Sequence, residues 1–175
     1  MRTAGELLDI YLDAVGANAS LLLNIPPDTH GRIAAPDCAS LTELGTKIQQ
    51  IFASNVTEKA EITADSAIAQ HPITQAVDGM ADTYWQAAYG QESDTITLNF
   101  PKPQKVSCVV LGEHLPTGQR IESGEIWADG SKASEFTVVG HKRICRFTPV
   151  DVQTLTIKIT ASRTEPTLRL LEVYQ

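Results

Sequence analysis

Residues 21–31, Leu-Leu-Leu-Asn-Ile-Pro-Pro-Asp-Thr-His-Gly, constrain this chain more than any other stretch. A short apolar run stops at an Asn, two prolines follow, and a loop ends in Gly31. Helical patterns flank it, Glu6 to Val15 before and Leu41 to Phe52 after. Helix, buried strand, loop, helix is the repeating unit of a parallel α/β fold. A buried parallel strand over Ser20–Ile25 needs neighbours on both edges and cover on both faces. Residues 1–55 cannot supply them, and the rest of the chain, which reads as all-β, does not supply them either.

Within the first segment, Leu7, Leu8, Tyr11, Leu12 and Val15 recur at helical spacing, and Gly16 is a natural stop. Ser40-Leu-Thr-Glu43 has the pattern of a capping box, and Leu41, Leu44, Ile48, Ile51 and Phe52 then mark one apolar face. The second segment, residues 56–175, is built of alternating, β-branched runs: 95–100, 106–111, 121–128, 136–139, 144–147, 155–160 and 168–174. Turn chemistry separates them at Pro101-Lys-Pro103, Pro116-Thr-Gly118, Asp129-Gly130 and Gly140. Short strands at regular spacing predict an antiparallel sandwich or barrel.

Of the 175 residues, 42% are hydrophobic and 20% charged, which places the chain among folded globular sequences. A net charge of −7 argues against a nucleic-acid partner, which needs a basic stripe. No run approaches the ~18 apolar residues of a membrane span, and the start shows no secretory signal. Cys38, Cys108 and Cys145 form no metal-binding pair of short spacing. The last two sit in strand-like runs and read as buried thiols, with a Cys108–Cys145 bridge left open in an oxidising compartment. Trp85 and Trp127 both read as core.

Ala76-Val-Asp-Gly-Met-Ala-Asp-Thr-Tyr-Trp85 resembles the opening signature of discoidin-like domains (coagulation-factor C-type, galactose-binding-like), a group that includes the family 32 carbohydrate-binding modules. Three further stretches, Gly112-Glu-His-Leu-Pro-Thr-Gly-Gln-Arg-Ile121, Val139-Gly-His-Lys-Arg-Ile144 and Ser162-Arg-Thr-Glu-Pro-Thr-Leu168, are similar to the accessory sandwich of family 29 glycoside hydrolases, the α-L-fucosidases. Gly112-Glu113 and His141 depart slightly from that pattern. Asn18 to Gly31 independently resembles the last barrel strand and loop of the bacterial enzymes, Gly-Asn-x-Leu-Leu-Asn-Ile-x-Pro. The implied architecture is mainly β: an eight-stranded discoidin-like jelly-roll sandwich over 56–175. It is preceded over 1–55 by an α/β, helix-strand-helix remnant of a TIM barrel.

The resemblance implies the noncatalytic C-terminal part of an α-L-fucosidase, with a free-standing family 32-like carbohydrate-binding module as the alternative. Retaining glycosidases use two carboxyl groups about 5 Å apart. In this family both come from earlier barrel strands, so the chain alone is expected to carry no catalytic residue. Asn24 and Asp28 are expected at the rim of the parent's pocket. A structural Ca²⁺ is implied at Asp78 and Glu172, with Gln75, Met80, Thr83 and Leu171 completing an oxygen shell. Carbohydrate is expected near Tyr89, His114, Arg120 and His141, although Arg120 and Arg143 also suit pairing with Glu113, Glu122 or backbone. The implied partners are a glycan, the missing barrel and a second copy meeting the exposed remnant; no nucleic acid or membrane is expected. The parent is expected to be periplasmic, secreted or at the cell surface.

Overall fold

A computed structural model describes residues 2–175. Helix α1 (Ala4–Val15) opens with a capping box in which the Thr3 side chain accepts from the Glu6 amide and Glu6 reaches back to the Thr3 amide. Helix α2 spans Ala35–Ile51 and begins earlier than the Ser40 pattern predicts, because Pro36 occupies a first-turn position where its missing N–H costs nothing. Thr42, one turn in, turns its hydroxyl back to the Cys38 carbonyl at 2.9 Å, so Ser40-Leu-Thr-Glu43 lies inside the helix.

The expected strand Ser20–Ile25 does not form. The segment has no regular structure, with Leu21, Leu23 and Ile25 half-buried and Leu22 94% exposed. No backbone group of 20–26 makes a hydrogen bond among the described residues. A strand exists only by pairing, and among the described residues no backbone pairs with this one. The N-terminal segment is therefore helix, unpaired ribbon, helix.

The remaining elements are β1 (Glu61–Ala64), β2 (Trp85–Gln86), β3 (Asp94–Gly112), β4 (Ile121–Ala128), β5 (Ser131–Phe136), β6 (Arg143–Ser162), β7 (Thr167–Leu168) and β8 (Leu170–Tyr174). All pairings are antiparallel: β1-β3-β6-β4-β5 in order, with β8 also on β3, and a small β2-β7 sheet. β3 and β6 are long because each runs through two layers. The early half of β3 pairs with β1 and the late half of β6, whereas its late half pairs with β8 and the early half of β6. The register breaks between Asn99 and Gln104. Pro101-Lys-Pro103, expected to end a strand, lies in that irregular stretch, where a residue without an N–H is tolerated.

One core fills the space between the layers. It joins Ile96, Leu98 and Phe100 to Val109, Leu111, Ile157, Leu171 and Val173, with Trp85 fully buried and its indole N–H given to the Ser66 carbonyl at 3.0 Å. The hairpin between β4 and β5 turns on Asp129 and Gly130, both at positive φ (45° and 80°). Strand β5 thus occupies 131–136 rather than the expected 136–139.

Trp127 departs from its expected core position. Ile126 and Ala128 point inward, so Trp127 stands on the outer face, half-exposed, with its N–H on Glu125 Oε2 (2.9 Å) and Lys158 Nζ 4.2 Å from the ring centre. Cys108 and Cys145 are free and buried on opposite faces of their sheet, Cys145 in the main core and Cys108 in a smaller cluster with Val110 and Tyr174. No bridge can join them. Burial pushes the Cys108 thiol to about 11 and the Cys145 thiol to about 12.

That smaller cluster seats the helices on the sandwich. Phe52 meets Tyr174 edge-to-face at 5.2 Å, with Ile51, Ile144 and Leu170 around them. Ile144 donates its amide to the Gly16 carbonyl at 3.1 Å. Asn18 (φ 70°) accepts the His141 amide at 2.6 Å, and a Cβ on Gly140 would lie 2.3 Å from the Asn18 side chain. Among the described residues no helix is long and apolar enough to cross a membrane.

Candidate functional site

Three places hold the residues singled out by sequence. The first is the ribbon. Asn24 is exposed and lines a cavity of about 270 Å³ between the ribbon and the helices, with Leu7, Leu23 and Asp37. Asp28 closes its own loop: its Oδ1 accepts the His30 and Arg32 amides at 2.8 and 2.9 Å, and Arg32 Nε stands 3.6 Å from Oδ2. Asn24 thus makes no hydrogen bond among the described residues, while Asp28 is engaged.

The second is the Asp78 loop. Met80 N–H and the Thr83 hydroxyl donate to the Asp78 carboxylate at 2.8 and 2.7 Å. Asp78, Leu171 and Glu172 line one cavity of about 190 Å³ beside Asn55 and Glu58; Gln75, Met80 and Thr83 are not on its wall. Met80 is 60% exposed. Glu172 shares the outer face of β8 with Tyr174, whose phenol is pushed up by burial and by its bond to Glu172. Two carboxylates, Asp78 and Glu172, thus line one cavity, with Met80 and Thr83 gathered on the Asp78 carboxylate beside it.

The third is one end of the sandwich. Tyr89 is 77% exposed. Its neighbour Gly90 (φ 82°) donates its amide to Glu165 Oε1 at 2.8 Å, and Arg120 Nη1 donates to the Glu165 carbonyl at 2.8 Å. The Gly90 amide, then the Thr164 hydroxyl, hold the Glu165 carboxyl down at about 2. His114 stacks on Tyr84 at 3.8 Å, and Tyr84 stacks on His71 at 3.8 Å, a three-ring ladder. Burial, and then His71, Arg120 and Arg169, lower the His114 pKa. Glu165 thus joins the loop that carries Tyr89, through Gly90, to Arg120. His141 sits on the turn after Gly140, its side chain exposed and its amide held by Asn18.

Sequence reasoning missed the group that organises this end. Glu113 is fully buried; its Oε1 accepts the Arg120 and Ile121 amides at 2.7 and 2.9 Å, and its Oε2 accepts the Gly140 amide at 2.6 Å. One carboxylate ties the β3–β4 loop to the turn before β6. The Arg120 guanidinium takes carbonyls of Thr117 and Glu165 instead of Glu113, Arg163 pairs with Glu122 at 2.9 Å, and Arg143 reaches Thr137 at 3.4 Å.

An antiparallel β-sandwich with helices seated on one face is thus the class of protein in hand. The chain belongs to the family described as a domain of unknown function, DUF7402, whose model matches residues 55–169. It is 30% identical over 185 aligned residues to α-L-fucosidase 1 of Arabidopsis thaliana, covering 99% of this chain and 36% of that protein. A solved Ruminococcus gnavus GH29 fucosidase in complex with fucose superposes with a TM-score of 0.90 at 27% identity, covering 99% of this chain and 37% of that one. A chitosan-binding module from Paenibacillus sp. IK-5 shares the fold, with a TM-score of 0.62 at 22% identity over 70% of this chain. The chain spans little more than a third of the length of the fucosidases it matches.

Proposed function

We propose that this chain is the noncatalytic C-terminal part of a longer α-L-fucosidase, in which a discoidin-like sandwich buttresses the catalytic barrel. The observation that carries the reading is the bare ribbon at 20–26: seven residues with no backbone partner, in a chain of which 99% aligns inside far longer fucosidases. A strand added on either edge would satisfy those groups, and cover over Leu22 would bury it. The parent removes α-L-fucose; this part holds neither carboxylate of the retaining pair.

Sequencing the gene upstream of Met1 tests the reading. A continuous frame encoding a barrel with two carboxylate-bearing strand ends is expected; a stop codon shortly upstream overturns it. Incubated with nitrophenyl α-L-fucoside, the isolated chain is expected to give no turnover above background.

A carbohydrate-binding role has its own support in Tyr89, an exposed ring next to Gly90, which shares Glu165 with Arg120. Binding to fucosides or galactosides on a glycan array, lost in Tyr89→Ala, is the expected signature; silence leaves the buttress alone. For calcium, the support is the shared cavity of Asp78 and Glu172. A melting shift on adding Ca²⁺ that EDTA reverses is the expected result, and no shift removes the ion.

A further inference from the structure

Three aromatic rings from three separate segments form one stack at the end of the sandwich. Tyr84, which leads into β2, lies between His71 and His114 at 3.8 Å from each, the ring planes 21° and 9° from parallel. His114 follows β3 and begins the loop to β4. Residues 115–119 of that loop are exposed, whereas the His114 ring lies against Tyr84 and is half-buried. The buried Glu113 holds the loop at its base. Arg120 holds its far end, the guanidinium taking the Thr117 and Glu165 carbonyls. Between those two points the stack is the loop's anchor.

His114 is built into the stack as a neutral group. Its Nδ1 is sealed from water and has no hydrogen-bond partner. A proton there would be a cationic N–H with nothing to receive it, which costs more than an unpaired neutral donor. The single proton of the neutral ring therefore belongs on Nε2. The surroundings oppose a charge as well. His71 faces the ring across Tyr84, Arg120 from its own loop, and Arg169 from the link between β7 and β8; the anion among them is Asp82. Glu113, next in sequence, has its carboxylate on the amides of Arg120, Ile121 and Gly140. Attraction of an imidazolium for the tyrosine face works the other way. At a half-exposed site it is smaller than the cost of an unpaired charged donor.

We infer that this stack is an acid-sensitive clasp: His114 holds the β3–β4 loop closed while its ring is uncharged, and protonation of that ring lets the loop swing away from Tyr84. A freed ring takes up its proton at the ordinary histidine value of about 6.5, and the stacked ring only below it, because of burial first and then His71, Arg120 and Arg169. Closure therefore has its full strength above about pH 6.5 and loses it as pH falls toward the value of the stacked ring, by up to about tenfold per pH unit. The device rests on these residues and does not depend on the parent being a fucosidase.

Proton NMR of the full chain, titrated from about pH 8 to about pH 5 across the histidine range, tests it. The Tyr84 ring protons, shielded from both faces, are expected upfield at neutral pH. They are expected to move downfield in step with the His114 Cε1 proton as pH falls, with a midpoint below about 6.5. His114→Phe keeps a stacking ring that cannot take a proton, and is expected to hold the Tyr84 protons upfield throughout. His71→Gln is expected to leave the movement in place. Tyr84→Leu removes the middle ring and is expected to bring the His114 midpoint back toward about 6.5; it keeps the test open should His114→Phe unfold. A His114 midpoint at or above that value, Tyr84 protons that stay in place while His114 titrates, or a movement that survives in His114→Phe or disappears in His71→Gln would each overturn the inference.

Discussion

At the scale of single residues, two carboxylates hold loops by accepting backbone amides, and they differ in what breaks them. Glu113 is sealed from water and satisfies three N–H groups. Glu113→Ala would orphan all three, and we expect a loss of about 2–4 kcal/mol in urea unfolding, with Glu113→Gln recovering part of it. Glu165 is reached by water, and pH breaks it. Its folded pKa lies below the ordinary glutamate value of about 4.3, at about 2. A depressed acid contributes stability that is full above the unfolded value and is lost as pH falls through the folded one. The Gly90 amide resonance is therefore expected to titrate with a midpoint at about pH 2, and Glu165→Gln to remove that transition. Asp94 runs the other way. Its raised pKa contributes stability below the unfolded value of about 3.9 that fades as pH rises through the folded one. These roles were hidden from sequence because each depends on distant partners: Glu113 meets Gly140, and Glu165 meets Gly90. Asp78 and Asp28, by contrast, bond to residues two to five positions away, a range that sequence can carry.

Among the elements, those set by local chemistry were readable. The spacing of Leu7, Leu8, Tyr11 and Leu12 predicts α1, and the Asp129-Gly130 pair predicts the β4–β5 hairpin. Those set by neighbours were not. The apolar run Leu21–Ile25 looks like a strand, yet pairing requires a second chain segment that is not there. Pro101-Lys-Pro103 looks like a stop, yet the ladder resumes beyond it at Gln104. Trp127 looks like core because tryptophan is large and apolar, yet alternation gives Ile126 and Ala128 the inner face. The seat of α1 on the sandwich also depends on tertiary contact, through Asn18. Its left-handed backbone costs a residue with a Cβ roughly 1 kcal/mol, and its side chain holds the His141 amide. Asn18→Ala is expected to speed amide exchange in 4–15 by about tenfold while exchange in β3 and β6 stays unchanged.

For the molecule as a whole, the open question of cover is concentrated at one spot. Leu22 projects into water beside backbone that nothing engages. Such an edge invites a second copy, and we expect concentration-dependent self-association in sedimentation. Leu22→Glu should abolish it while shifting stability by no more than about 0.5 kcal/mol, since the side chain touches little in the monomer; a chain that stays monomeric at all concentrations would count against that surface being sticky. The sandwich itself faces the opposite situation. Since β3 and β6 each cross from one layer to the other, the two walls are threaded on the same pair of cords, and only the β4–β5 hairpin and the small β2–β7 sheet hang outside them. Loosening either wall slackens both. The two walls therefore share one fate, and heat should take them apart in a single step, with the edge strand β5 able to open ahead of them.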